Sequence, residues 1–330
     1  MVKIDKGMDR MKNKQENHCL NALKGVACIG VVFVHALFPG KFGNVIFMLA
    51  SAAVPIFFLI SGFYAYDKDN RVVAEKTIGK LKRTIRLTVG ACLLYIVWKF
   101  VRLWLMGNLP FSGISDFNCR NLVKMLLQND LSFIEAGHFW FLLALIYAYV
   151  TLFLLAKWNR IGLVYPLVIL TFIGRVYMCG HANWHYSQNY WFDGLPYFFS
   201  GYYLRENESL KEKVSNGALL GSGIVGILFK ISCLFYDIGV DVYEIGAILF
   251  ALSLFLFALK NENVGKDSLW EKLGKKYSLW IYLYHMIIFG ILTLYEGKVG
   301  LQGLSWYPWC KPILVFLLTL CFGAICRRKI

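Results

Sequence analysis

Runs of about twenty apolar residues recur along the chain, divided by short polar stretches, and each is long enough to cross a bilayer as a helix. They predict ten helices, at roughly 19–38, 44–66, 87–107, 138–156, 161–178, 190–204, 216–236, 241–259, 277–295 and 309–326. The sixth is short and interrupted by Pro196, the pattern of a broken helix lining a cavity. Membranes tolerate such a break only where protein or water satisfies the freed backbone groups. An even count returns the C-terminus, with Arg327-Arg328-Lys329, to the side of the N-terminus. The expected fold class is therefore an all-α polytopic membrane bundle with both termini cytoplasmic. Its parts are a basic lead at 1–18, one transmembrane domain at 19–326 and a tail at 327–330. The first apolar run is not a cleaved signal peptide, because a polar lead precedes it and another span follows without a small-residue cleavage pattern. Between spans, 108–137 reads as an amphipathic or re-entrant external cap. Asp67–Arg86 and Lys260–Lys276 read as charged inner loops.

Composition sharpens this picture. Hydrophobic residues make up 58% of the chain and charged residues 17%, whereas a soluble domain is near a quarter charged. The net charge of +15 raises nucleic acid as a partner, but its distribution argues otherwise. Most of the 35 Lys and Arg fall on segments assigned to the inside. The outer segments hold Lys41, Arg120, Lys124, Lys298 and Lys311. That asymmetry is the positive-inside rule, which sets orientation and says nothing of partners. No nucleic-acid partner is expected. Nine cysteines are scattered without metal-ligand spacing, so no metal is expected either. Cys119, Cys179 and Cys310 would lie outside, where a disulfide pairing is not deducible.

Ionisable groups inside a bilayer are costly and mark function by default. On the first helix Lys24 precedes His35 by eleven residues, about three turns, so they share one face roughly 16 Å apart along the axis. Taken singly, Lys24 reads as a snorkelling interfacial lysine and His35 as a packing histidine. Together they point to a site. Arg83 and Arg86, at i and i+3, would face one way on a helix and suit bidentate phosphate binding, against the plainer reading of a solvated loop. Glu135 and His138 open the fourth span beside Trp140, at the level where His35 emerges. A carboxylate there could orient an imidazole, while the aromatic residues also fit an interfacial belt. Ser61 and Gly62 allow close helix approach, and Pro55 a kink. Tyr282 and His285 lie in the ninth span, with His285 well inside its apolar run. Lys99 and Arg102 share a face as structural anchors. Arg175, Lys230, Asp193, Asp237, Asp241 and Glu244 are charges at or near span ends that sequence does not pair.

These segments, taken in order, resemble acyltransferase family 3 of integral membrane proteins. The family's Arg or Lys, ten residues, then His corresponds to Lys24 through His35, within Leu23-Lys24-Gly25-Val26-Ala27. Phe57-Phe58-Leu59-Ile60-Ser61-Gly62-Phe63 is similar to its second-helix signature, and Arg83-Thr84-Ile85-Arg86 to its inner Arg-x-x-Arg. His138-Phe139-Trp140-Phe141-Leu142 and Ser278-Leu279-Trp280-Ile281-Tyr282-Leu283-Tyr284-His285 resemble two later segments. The resemblance implies an O-acetyltransferase-like enzyme of the cell membrane. It would pass an acyl group, commonly acetyl, from cytoplasmic acyl-CoA to a surface glycan or its lipid-linked precursor. By the same resemblance His35 is the essential histidine, Lys24 supports it, and Arg83 with Arg86 contact the donor. Acyl-CoA is then a substrate, with no permanently bound cofactor expected. Many relatives carry an added extracytoplasmic domain, so transfer here is expected either directly or through a separate extracytoplasmic transferase. A second reading is transport of a small solute such as serine, because a related membrane domain precedes the racemase in vancomycin-resistance serine racemases.

Overall fold

The structure, a computed structural model, describes residues 16–181, 188–236 and 239–328. Asp237, Lys329 and most of the basic lead fall outside the described residues. The described residues are 83% helical and contain no strand, so the fold is an all-α bundle.

Helix α1 spans His18–His35. Asn17 caps it: its side-chain oxygen accepts from the Leu20 N–H at 2.7 Å, while its amide donates to the Ala258 carbonyl at 2.9 Å. The second apolar run is divided by a turn at Ser51 and Ala52 into α2, Gly40–Ala50, and α3, Ala53–Phe63. Pro55 falls in the first turn of α3, where a missing N–H leaves no helical bond unmade. The expected kink is thus a full break.

Helix α4 is one 36-residue helix, Asn70–Leu105, capped by Asp69. This corrects the inner loop expected at Asp67–Arg86, of which only the first residues remain irregular. Between 70 and 86 the sequence holds three Lys and three Arg, which favour helix, and contains no proline to stop it. Then follow α5 (Cys119–Gln128), α6 (Trp140–Lys157) and α7 (Val164–His181). A π turn at Tyr190–Gly194 runs directly into α8, Leu195–Glu206. The remaining helices are α9 (Asn216–Phe235), α10 (Val240–Lys260), α11 (Leu269–Lys276), α12 (Ser278–Val299) and α13 (Tyr307–Arg328).

Among the described residues nine segments are long and apolar enough to span a membrane. The tenth expected span, α8 with its π turn, is too short for that criterion but lies deepest in the bundle. Tyr197, Phe198 and Phe199 have no solvent exposure. Helix α8 reaches α3 through a glycine crossing. A Cβ on Gly62 would stand 1.8 Å from the Phe198 carbonyl oxygen, and one on Gly201 2.0 Å from that of Leu59. Only hydrogen at both positions allows the backbones to touch.

The segment 108–137 forms the expected cap. A 3-10 turn, Pro110–Asp116, precedes α5, whose Leu122, Val123, Leu126 and Leu127 are exposed beside Arg120 and Lys124. Lys99 and Arg102 anchor it as expected. The buried Lys99 ammonium donates to Asp116 at 2.5 Å and to the Phe133 carbonyl at 2.6 Å, and Arg102 pairs with Glu135 at 2.9 Å.

Candidate functional site

Three histidines from three separate helices meet inside the bundle. His35 is the last residue of α1, His138 lies in the 3-10 turn Gly137–Phe139 that leads into α6, and His285 is in α12. Ring centroids are 5.3 Å apart for His35 and His285, 6.0 Å for His35 and His138, and 5.0 Å for His138 and His285. The Tyr282 hydroxyl donates to the His138 carbonyl at 2.8 Å, tying α12 to the start of α6. Tyr95 of α4 packs its ring against His138 and donates to the Leu283 carbonyl at 2.9 Å.

The protonation pattern of His285 follows from its partners. Its Nδ1 lies 3.0 Å from the Ile281 carbonyl oxygen and 2.9 Å from that of Tyr282. Two acceptors require a donor, so Nδ1 carries the hydrogen and Nε2 holds a lone pair. That Nε2 is buried without a protein partner, as are both ring nitrogens of His138. Among the described residues no carboxylate forms an ion pair with any of the three rings. The centre is a set of imidazoles whose nitrogens are available to something that enters the bundle.

His35 also lines a cavity of about 500 Å³. On one side the break between α2 and α3 supplies the wall from Ala50 to Pro55; on the other stand Trp140, Tyr243 and Gln188. A buried ion-pair cluster completes it. The Arg175 guanidinium bonds Asp193 at 2.5 Å and Glu244 at 2.8 Å, and donates to the Phe192 carbonyl at 3.3 Å. Asp193 reaches this position from the π turn, a local widening of the helix that is frequent at functional sites. Asn189 holds the turn by accepting from the Trp191 and Phe192 N–H groups. The broken sixth element expected from Pro196 therefore does border a cavity. Its contributing residue, Asp193, lies in the π turn before the proline.

The other end of the bundle is different. Lys24 is half-buried on α1 and does not line the His35 cavity, as their separation of roughly 16 Å along the helix demands. Arg83 and Arg86 lie exposed on α4, and neither forms an ion pair among the described residues. The charge of Arg83 acts on both Lys24 and Tyr149. Ser61 is here as well, donating to the Phe57 carbonyl at 2.7 Å. It is not brought to His35.

Glu135 differs from expectation. Its backbone is left-handed, with φ of 59°, and its side chain turns to Arg102 on the outside of α4. The structure gives it an anchoring partner in the cap, not an imidazole. Nearer the Lys24 end, Glu16, His18 and Glu271 bring three ligand atoms within 4.8 Å of one another. The Lys275 ammonium joins them, 2.8 Å from Glu16 and 3.2 Å from Glu271, which makes this an ion-pair cluster. Burial disfavours the ionised Glu271, but His18, the Asp267 N–H and Lys275 outweigh it and hold the carboxyl down to about 2. All nine cysteines are free thiols.

Sequence reasoning named His35, His138, Trp140, Tyr282 and His285, and the structure brings these five into one region. It missed Tyr95, Tyr243 and Gln188, and left Arg175, Asp193 and Glu244 unpaired. The only sequence signal for these three was their rarity as charges beside apolar runs.

Apolar helices around an internal polar centre define a multi-pass membrane protein. Comparison with known families adds its chemistry: the acyltransferase domain of acyltransferase family 3 matches residues 17–328, nearly the whole chain. The chain belongs to this family and is a membrane acyltransferase. Neither a curated protein nor a solved structure matches it significantly.

Proposed function

We propose that the protein transfers an acyl group, acetyl in the first instance, from cytoplasmic acyl-CoA to a hydroxyl of a surface glycan or its lipid-linked precursor in the cell membrane. The observation that carries this reading is His35: it is the histidine that the sequence resemblance singles out, and it forms part of the wall of a cavity inside the bundle. Coenzyme A docks its phosphates on Arg83 and Arg86 at the Lys24 end, where two unpaired guanidinium groups are exposed. Its flexible pantetheine arm then carries the thioester along the bundle toward His35, past Lys24.

At His35 the lone-pair nitrogen of the imidazole takes the proton of the acceptor hydroxyl as its oxygen attacks the thioester carbonyl. The carbon–sulfur bond breaks, and the departing thiolate recovers the proton from the imidazolium. In the covalent variant the imidazole attacks first, the thiolate leaves, and the hydroxyl then attacks the acyl-imidazole. His138 and His285 keep buried, unpartnered ring nitrogens next to that ring and hold its surroundings polar.

The test uses purified full-length protein in lipid nanodiscs with labelled acetyl-CoA. Label recovered on His35 without acceptor supports the covalent route, and acceptor-dependent release of coenzyme A without it supports the direct one. Serine uptake by reconstituted vesicles lacking acyl-CoA, with no acyl transfer, would overturn the reading in favour of transport.

A further inference from the structure

The cavity beside His35 has a chemistry of its own. Its walls are of two kinds. One is apolar, formed by Val34, Phe47 and the backbone break between α2 and α3, with the indole of Trp140 half-buried at its border. The other is the Arg175–Asp193–Glu244 cluster with Tyr243 and Gln188.

The polar wall is selective in charge. Among the described residues Arg175 is the only Lys or Arg lining the cavity, and its guanidinium is committed to two carboxylates and the Phe192 carbonyl. The nearby Lys230 ammonium does not line the space: it is 1% exposed, donates to Ser51 at 2.7 Å and lies over the rings of Tyr243 and Phe250. Among the described lining residues no further Lys or Arg is left for an acidic ligand. Asp193 and Glu244 each keep lone pairs beyond those Arg175 uses, because a carboxylate accepts about four hydrogen bonds. The wall therefore asks for hydroxyl or amide donors, and it repels anions across a low-dielectric space.

An apolar and aromatic face opposite fixed carboxylate acceptors matches a sugar ring, which has a C–H face and a rim of hydroxyls. The volume of about 500 Å³ is in the range of small-molecule sites. We infer that this cavity is the acceptor subsite and that it takes an uncharged sugar, with Trp140 against the ring face and Asp193, Glu244, Gln188 and Tyr243 on its hydroxyls. Acidic sugars are excluded. The inference rests on the acyltransferase reading for the word acceptor, but the sugar site itself can be tested without any acyl donor.

The experiment is saturation binding to the full chain in nanodiscs, with no acyl-CoA present. The probes are tritiated methyl glycosides of glucose, galactose, mannose and N-acetylglucosamine. At least one should bind saturably, and methyl glucuronide should displace it at least tenfold less well than its unlabelled self. Gln188→Ala and Tyr243→Phe should each weaken binding about tenfold while the melting temperature stays at the wild-type value. Saturable binding by none of the four, displacement by methyl glucuronide equal to self-displacement, or unchanged affinity in both variants would overturn the inference. Binding without any acetyl transfer would instead sink the proposed function and leave the sugar site standing. Acetyl transfer without saturable binding would do the reverse.

Discussion

The two ends of the bundle handle charge in opposite ways. Around the His35 cavity, Arg175, Asp193 and Glu244 are buried and bonded to one another. At the Lys24 end, Arg83 and Arg86 stand exposed with no carboxylate partner among the described residues. An ion taken out of water costs several kcal/mol unless it is paired, whereas an exposed cation costs little. The buried end must carry its partners from the start, and the exposed end can wait for a ligand that brings its own negative charge. The lesson is that intramembrane charge marks a site in two ways, either as a completed network or as an open valence.

The largest test of this contrast removes the cation from the buried network. Arg175→Ala leaves two unpaired carboxylates inside the bundle and should destabilise the protein by about 3–5 kcal/mol. Thermal unfolding in nanodiscs would read this as a steep drop in melting temperature, and an unchanged value would show that the network is not what holds Asp193 and Glu244. At the other end, Arg83→Ala with Arg86→Ala should leave the stability within about 0.5 kcal/mol of wild type. The KM for acetyl-CoA should rise about tenfold with kcat little changed. A fall in kcat at constant KM would detach this pair from donor binding.

Acid probes the Lys24 end through Glu271. Its folded carboxyl is held at about 2, below the ordinary carboxylate value, so its stabilising effect is present above pH 4.5 and is lost as pH falls toward 2. Wild type should therefore lose more melting temperature between pH 5 and pH 3 than Glu271→Gln does. Equal losses would show that the cluster with His18 and Lys275 does not stabilise the fold. The smallest effect belongs to Glu135→Gln. The half-exposed pair with Arg102 is worth about 0.2–1 kcal/mol, and transfer activity should stay within about twofold of wild type. A loss of a hundredfold would return Glu135 to the chemistry.

Much of the fold was legible in the sequence, because a bilayer imposes its thickness on every span and the apolar runs record it. What failed was local. The charged stretch before residue 87 looked like a loop, yet it continues α4, since charge alone does not end a helix without a breaker. The site was legible as residue types and not as partnerships. His138 and His285 stood out as ionisable groups in apolar runs, but their approach to His35 at 5.0–6.0 Å depends on how three separated helices pack. Glu135 seemed a partner for an imidazole because it is three residues from His138. A left-handed turn at that residue accompanies its pairing with Arg102 instead. Arg175, Asp193 and Glu244 are far apart in the chain, and their pairing depends on a π turn that no spacing announces.

The central claim is that His35 carries acyl transfer in a bundle whose fold does not need it. Its most direct test is to compare acyl esters on each surface polymer, by mass, between cells making wild-type protein and cells making His35→Ala at equal membrane abundance. The account predicts that the esters disappear in the variant while the purified protein melts at the wild-type temperature. Esters at the wild-type level in His35→Ala cells would contradict it.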